Sequence, residues 1–210
     1  MSEICYIIGA GDVTDPHITA TEKDLIICAD SGYKYKTLLG RDCDMVMGDF
    51  DSLGSVPDTK NKIVAPCEKD ETDMMLAADY GYAQGYRQFV LIGALGGERN
   101  DHSVANIQLL HYIASKGARG TIYHGNEVFT AFSDSTLILS AGLKGYVSVF
   151  SLRDESRGVT IKNLKYTLEN ASLYSYKPIG VSNEFIGKES TVTVKDGTLL
   201  VVYKSLNVEM

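Results

Sequence analysis

Short apolar runs alternate with amphipathic stretches through about the first 125 residues, and this alternation is the strongest constraint on the fold. Stretches with helical spacing lie between several of these runs, and the later helical stretch ends at Gly117, a plausible helix C-cap. Strands that are apolar on both faces and alternate with helices predict a parallel sheet covered by helices. The apolar runs are ICYIIG, DLIICAD, DMVMGD, NKIVAP and RQFVLIG, and the helical stretches are TDMMLAADYGYAQG and DHSVANIQLLHYIASKG.

The pattern changes after about residue 126, where strand-like runs rich in Val, Thr, Ile and Tyr follow one another without a helical stretch. The segment KDGT at 195–198 predicts a tight hairpin turn, because Asp-Gly readily takes the positive φ angles that such turns need. The fold class predicted is α/β: an N-terminal parallel-sheet α/β domain, residues 1–130, followed by a small antiparallel β-sandwich domain, residues 131–210. The strand-like runs are STLILSA, GYVSVFSL, GVTIKNL, STVTVKDG and TLLVVYKS.

Composition excludes several classes of function. The 210 residues carry a formal charge of -7, which argues against nucleic acid as a partner, since phosphate backbones are bound through an excess of Lys and Arg. No apolar stretch approaches the roughly 20 residues that span a bilayer, so no membrane association is expected. The first residues contain no basic leader, and the four cysteines form no CxxC pair. We therefore expect a cytoplasmic protein with reduced thiols.

Acidic side chains follow the ends of several predicted strands. Asp30 follows DLIICA, and the segment GDFDS places Asp49 and Asp51 after DMVM. Asp73 and Asp101 lie at the starts of the two predicted helices. Ligands of parallel α/β sheets bind at the carboxyl ends of the strands, so these carboxylates are expected to converge. Like charges held close together repel unless a cation lies among them, and oxygen ligands alone suit Mg²⁺.

Each of these residues also has a structural interpretation. Thr72, Asp73 and Asp101 are typical helix N-caps, whereas no turn requires the D-x-D of GDFDS. Glycines at 9–11 and 96–97 permit close approach of backbone N–H groups to phosphate, although neither matches a complete phosphate-loop pattern. Lys69 and Arg99 are either phosphate ligands or solvated surface cations.

In this order, the motifs resemble those of the thiamine pyrophosphokinase (thiamin diphosphokinase) family, and they extend over essentially the whole chain. Residues 96–102 depart from the family's usual G-G-R-x-D-H by one extra residue, but Arg99 and Asp101 keep their mutual spacing. The matching segments are ADSG at 29–32, GDFDS at 48–52, KDETD at 69–73, R-N-D-H at 99–102 with Ala105 and Asn106, GVTIKNLKYTL at 158–168 and GVSNEF at 180–185.

The resemblance implies a thiamine diphosphokinase that transfers the pyrophosphoryl group of ATP to the hydroxyethyl group of thiamine, giving thiamine diphosphate and AMP. It also implies Mg²⁺ as cofactor and a homodimer whose active site lies at the subunit interface. The site roles that it implies are catalysis and metal binding by Asp49, Asp51 and Asp73, ATP and phosphate binding by Asp30, Ser31, Ser52, Lys69, Arg99 and Asp101, and thiamine binding by Ser182 and Asn183.

Two other functions are compatible with such a fold. A non-catalytic sensor of thiamine diphosphate or a nucleotide has no need for Asp49, Asp51 and Asp73 together, and all three are present. Another Mg²⁺-dependent transferase or hydrolase has no need for the GVSNEF element. The complete set of motifs therefore favours the kinase.

Overall fold

The computed structural model describes residues 3–14, 16–51, 54, 57–59, 61–66 and 70–204. They form two compact units, one of residues up to 109 together with 122–125, the other of residues 110–121 together with those from 126 onward. The division predicted between residues 130 and 131 falls inside a strand, Glu127–Ser133.

The first unit contains five parallel strands that are neighbours in one sheet. Each of the five apolar runs forms one strand, as predicted, and the strand order is β5-β1-β2-β3-β4. All carboxyl ends therefore meet at one edge of the sheet. The strands are β1 (Cys5–Ile8), β2 (Leu25–Ala29), β3 (Met45–Gly48), β4 (Lys62–Val64) and β5 (Gln88–Ile92).

Both predicted helices are present, as α1 (Asp73–Ala83) and α2 (Asn100–Ser115). Helix α1 packs against β1, β2 and β3. A 3₁₀ helix, Asp30–Tyr35, follows β2 and was not predicted. Gly117 has a φ of +74°, and its N–H donates to the carbonyl of Ala114. This confirms the prediction that Gly117 ends the helical stretch. A strand that was not predicted, β6 (Arg119–His124), follows α2.

The core of the first unit uses cysteine as a small apolar residue. Cys5 and Cys28 are fully buried, and Cys28 belongs to a cluster with Ile8, Ile26 and Phe50. Burial raises the pKa of the Cys5 thiol far above its usual range, so this group stays protonated. The described cysteines, Cys5, Cys28 and Cys43, are free thiols.

The second unit is an antiparallel sandwich. One sheet has the order β12-β9-β14-β7 and the other β11-β10-β13-β8, and buried residues of both sheets form a single apolar cluster. No helix occurs among the described residues from 126 to 204. The predicted β-sandwich is therefore confirmed. Its strands are β7 (Glu127–Ser133), β8 (Thr136–Leu139), β9 (Tyr146–Ser151), β10 (Glu155–Lys162), β11 (Leu168–Tyr174), β12 (Asn183–Glu184), β13 (Ser190–Thr193) and β14 (Thr198–Lys204).

The hairpin predicted at residues 195–198 is wrong. Strand β13 pairs with β8 and β10, whereas β14 pairs with β7 and β9, so this turn carries the chain from one sheet to the other. Gly197 has a positive φ of +144°, and its N–H bonds to Oδ1 of Asp134 rather than closing a two-residue turn.

Within the described part of the chain, no helix is long and apolar enough to cross a bilayer.

The close approach of α1 to the sheet at Gly81 leads to a test of the packing. Gly→Ala inside a helix ordinarily stabilises it by about 0.5–1 kcal/mol. A Cβ at Gly81, however, would lie 2.6 Å from Sγ of Cys5 and 3.0 Å from Cε1 of Phe89. We therefore expect Gly81→Ala to lower the free energy of unfolding, by about 1–3 kcal/mol as for other overpacked cores. Urea denaturation followed by circular dichroism measures this difference.

The control is a double-mutant cycle with Cys5→Ala, which removes the sulfur. Adding Gly81→Ala to Cys5→Ala is expected to cost much less than adding it to the wild type. A single Gly81→Ala variant more stable than the wild type would contradict the packing described here.

Candidate active site

The end of β2 leads directly into the first candidate loop. Asp30 has a left-handed φ of +45° and begins the 3₁₀ helix. Ser31 is buried, and its Oγ donates to Oδ2 of Asp30 at 3.3 Å. Gly48, at the end of β3, lies against this loop, because a Cβ there would be 3.1 Å from Cα of Asp30. The ends of β2 and β3 are thus in close contact.

The GDFDS segment presents two carboxylates on either side of a buried ring. Phe50 is only 2% exposed and belongs to the core of the first unit, yet it has a left-handed φ of +61°. Asp49 is half-buried, Asp51 is exposed, and the N–H of Asp51 donates to Oδ1 of Asp49 at 3.2 Å. Burial of the ring holds an unfavourable backbone conformation that keeps both carboxylates outside the core. Ser52 lies outside the described residues.

The KDETD segment leads into α1. Thr72 is the N-cap, since its Oγ1 accepts from the N–H of Met75 at 3.2 Å, and Asp73 is the first residue of the helix. The capping interpretation therefore holds for Thr72. A carboxylate in the first turn is also favourable toward the helix dipole. Lys69 lies outside the described residues.

The loop between β5 and α2 holds an ion pair. Arg99 Nη2 lies 2.7 Å from Asp101 Oδ2, and Arg99 Nε lies 3.0 Å from Asp101 Oδ1. The hydrogen bond from Arg99 lowers the pKa of Asp101 to about 2, so this carboxylate is ionised throughout the neutral range. Both side chains are exposed, so the pair is screened by solvent.

Three of the glycines near these loops use their N–H groups in hydrogen bonds within the protein. The N–H groups of Gly9 and Gly11 donate to the carbonyls of Ile92 and Gly93, each at 2.8 Å. The N–H of Gly96 donates to Oγ of Ser103 at 3.0 Å, and a side chain at Gly96 would clash with the carboxylate of Asp12. These three N–H groups are therefore already bonded within the protein.

A cavity of about 610 Å³ opens at this edge of the first unit. Asp30, Ser31, Asp73 and Arg99 line it, whereas Asp49, Asp51 and Asp101 are not among the described residues that do so. Its volume lies within the range of small-molecule sites.

Sequence reasoning assigned no site role to three residues here. Lys34 lines the cavity, and no helical periodicity could signal it within a six-residue 3₁₀ helix. Asn106 is buried and lines the cavity too, and its Nδ2 donates to the carbonyl of Ala94 at 2.6 Å. Ser103 holds Gly96, as described above. Asn106 occurs in a quoted motif, but only the structure shows what it bonds.

The arrangement of the carboxylates limits the kind of metal site that they can form. No group of three or more His, Cys, Asp or Glu side chains lies close enough to hold a metal among the residues described. Asp49, Asp51 and Asp73 therefore do not form a three-carboxylate cluster. Mg²⁺ is commonly held by one or two carboxylates together with water and substrate phosphates. The oxygen-only pair at Asp49 and Asp51 fits that kind of site.

In the second unit, the two residues predicted to bind thiamine have very different surroundings. Ser182 is exposed and has a left-handed φ of +60°. Asn183 is only 6% exposed, and its amide bonds the backbone of Tyr166, accepting from N–H at 2.9 Å and donating to C=O at 2.7 Å. Its Oδ1 also accepts from the N–H of Glu184. Asn183 thus holds the backbone that carries the exposed ring of Tyr166.

Comparison with known proteins identifies the family. Residues 17–122 match the model of the thiamin pyrophosphokinase catalytic domain, and residues 135–199 match that of the thiamin pyrophosphokinase vitamin B1 binding domain. The chain belongs to the thiamin pyrophosphokinase family. The reaction of this family transfers the pyrophosphoryl group of ATP to thiamine, with ATP as co-substrate.

Individual relatives agree with this assignment. A thiamine pyrophosphokinase of Bacillus subtilis (strain 168) is 26% identical over 162 residues, which cover 74% of this chain and 75% of that protein. A thiamin pyrophosphokinase structure from Geobacillus thermodenitrificans is 27% identical, with a TM-score of 0.80 over 99% of this chain and 100% of that one. A thiamine pyrophosphokinase structure from Bacillus subtilis, 23% identical, has the same fold, with a TM-score of 0.82 over 97% of this chain and 100% of that one.

The contrast between Ser182 and Asn183 can be tested by substitution. Asn183→Ala leaves the N–H and C=O of Tyr166 without their partner, so we expect it to lower the free energy of unfolding by about 2 kcal/mol. Ser182→Ala is the matched control, with an expected change within about 0.5 kcal/mol, because this side chain is exposed. Equal stability of the two variants in urea denaturation would contradict the assigned role of Asn183.

Proposed function

We propose that this chain is a Mg²⁺-dependent thiamine diphosphokinase that moves the β,γ-pyrophosphoryl group of ATP as a unit to the hydroxyethyl oxygen of thiamine. The products are thiamine diphosphate and AMP. The observation that carries the proposal is the match of both family domains, in order, along the chain. The carboxylates and the cavity at one edge of the parallel sheet support it.

ATP is proposed to bind in the cavity of the first unit. Asp30 and Ser31 line it from the end of β2, and Arg99 lines it from the loop after β5. Asp101 holds the guanidinium of Arg99, so this proposal assigns Asp101 to orienting Arg99 toward phosphate oxygens. Ser52 and Lys69 are proposed to extend the phosphate site on the basis of their motifs.

Asp49, Asp51 and Asp73 are proposed to hold Mg²⁺ against the phosphates. Since the three side chains do not form a cluster by themselves, substrate phosphate oxygens are assigned the remaining positions. Bound Mg²⁺ supplies charge neutralisation for the triphosphate and for the leaving AMP oxygen.

The protein itself must orient the attacking alcohol and accept its proton. Phosphoryl transfer depends mainly on in-line positioning, because the phosphate group is unreactive without it. The hydroxyethyl proton passes to a carboxylate oxygen, and Asp51 and Asp73 are the two candidates. Asp73 lines the cavity, whereas Asp51 does not, and this favours Asp73 as the proton acceptor.

Thiamine is proposed to bind to the second unit, through Ser182 and through Asn183. Because its amide is buried, Asn183 is assigned an indirect role, which is to hold Tyr166 in place. Ser182 offers an exposed hydroxyl. Tyr166 is 61% exposed. An aromatic face of this kind attracts a cationic ring such as the thiazolium of thiamine.

A homodimer with the active site at the subunit interface is also proposed. Large apolar side chains near β12 in the second unit are exposed, among them Tyr146, Val181 and Ile186. Strand β12 pairs only with β9 among the described strands, so it is an edge. Exposed apolar surface beside a free strand edge is typical of interaction sites.

Two further proposals rest on the sequence alone. They are a cytoplasmic location and a division into domains at residues 1–130 and 131–210.

The decisive assay incubates the purified protein with ATP, Mg²⁺ and thiamine and separates the products, with EDTA and no-thiamine controls. We expect AMP and thiamine diphosphate in equal amounts, and only with metal. ADP with thiamine monophosphate would contradict pyrophosphoryl transfer. Absence of turnover with thiamine still bound would favour a sensor.

Removing either carboxylate of GDFDS tests its catalytic role. We expect Asp49→Asn and Asp51→Asn to lower kcat by orders of magnitude, because each removes a charged ligand for Mg²⁺. Thermal stability should be unchanged or higher, since repulsion between the two carboxylates is relieved.

The matched control is Asp58→Asn, an exposed carboxylate in the same part of the chain, which should leave both kcat and stability unchanged. A large loss of stability in the Asp49 or Asp51 variant would indicate a structural role instead.

A further inference from the structure

One of the two cations that the sequence predicts for phosphate binding, Arg99, lies in the described lining of the cavity of the first unit. Sequence motifs suggested Lys69 and Arg99 as the cations for phosphate, and Lys69 lies outside the described residues. Arg99 is already paired with Asp101. The cavity lining also includes the carboxylates of Asp30, Asp73 and Glu98. A further cation among the described lining residues would therefore favour the entry of a polyanion.

Lys34 is placed to supply that charge. It lies within the 3₁₀ helix that begins at Asp30, and its exposed side chain lines the same cavity as Ser31 and Arg99. It forms no ion pair with a carboxylate of the described part of the chain. Its ammonium group is therefore not neutralised by those residues before ligand binds.

The nearby Lys36, in contrast to Lys34, is paired with a carboxylate and lies outside the cavity lining. Lys36 Nζ lies 3.8 Å from Asp42 Oδ1 and 5.4 Å from the ring centroid of Tyr33. It is not among the residues that line the cavity. Two lysines two positions apart thus have different environments, since Lys34 lines the cavity and Lys36 is paired with Asp42.

We propose that Lys34 binds the phosphate chain of ATP and sets the preference of the cavity for a triphosphate over a monophosphate. The inference rests on the proposed function, and it adds a residue to the ATP site rather than a new site. An ammonium group on a flexible chain interacts with phosphate as a point charge with rotatable donors. The interaction therefore grows with the number of phosphates within its reach.

The test compares Lys34→Met with Lys36→Met, which remove the same charge two positions apart. Isothermal titration calorimetry of the full chain with Mg²⁺ measures the Kd of ATP and of AMP. For Lys34→Met we expect the Kd of ATP to rise about tenfold, as for one charge-assisted contact that is partly screened, and that of AMP to change less than twofold. Lys36→Met should match the wild type for both nucleotides.

One further variant and one further condition test the same role of Lys34. Lys34→Arg keeps the charge and should recover most of the ATP affinity. The loss of ATP affinity with rising salt should be less steep for Lys34→Met than for the wild type, because one ionic contact is missing. Thermal unfolding of every variant checks that its folded structure is as stable as that of the wild type.

The outcomes separate the two proposals. If wild-type protein binds ATP and Lys34→Met binds it equally well, the role of Lys34 is overturned and the proposed function stands. An equal loss of ATP and AMP affinity in Lys34→Met would also overturn it, since that pattern indicates distortion of the Asp30 loop. A wild-type protein that binds no ATP would overturn both.

Discussion

Parallel pairing of β1 with both β2 and β5 is the constraint on which the candidate site depends. Because the three strands run in the same direction, the residues that follow them reach one edge of the sheet. The carbonyls of Ile92 and Gly93 then accept from the N–H groups of Gly9 and Gly11, which locks the loop after β1 to the loop after β5. Glycine is required there, since a Cβ at Gly11 would lie 2.6 Å from the carbonyl oxygen of Leu95.

At each of three motif loops, a residue other than glycine takes a left-handed backbone conformation. Asp30, Phe50 and Ser182 have φ between +45° and +61°, a region that costs such residues about 1 kcal/mol or more. The cost at Phe50 is offset by burial of its ring in the core. On either side of this ring, Asp49 is half-buried and Asp51 is exposed. Local strain is thus coupled to the placement of the carboxylates.

Much of the fold could be predicted, because buried parallel strands are continuous apolar runs and each of the five in the first unit was recognised. Strand β11 was not predicted, because only Leu173 among its seven residues is buried and the strand therefore has no continuous apolar run. Strand β7 was interpreted as a domain boundary. The turn at 195–198 has correct turn residues, but local turn chemistry contains no information about which sheet the next strand joins. That choice is made by long-range packing in the sandwich core.

For the site, sequence could identify motif residues but not the state of their hydrogen bonds. Asn183 was recognised as a ligand candidate, yet its amide is occupied by the backbone of Tyr166. Arg99 was predicted to be a phosphate ligand, yet its guanidinium is already bound to a carboxylate that stays ionised at neutral pH. A phosphate bound there, as proposed, would share Arg99 with Asp101, and this sharing would weaken the net attraction of Arg99 for a polyanion but fix the direction of its guanidinium. As proposed, Lys34, which pairs with no described carboxylate, would attract a phosphate without fixing its direction. The two kinds of cation would then have complementary parts in one cavity.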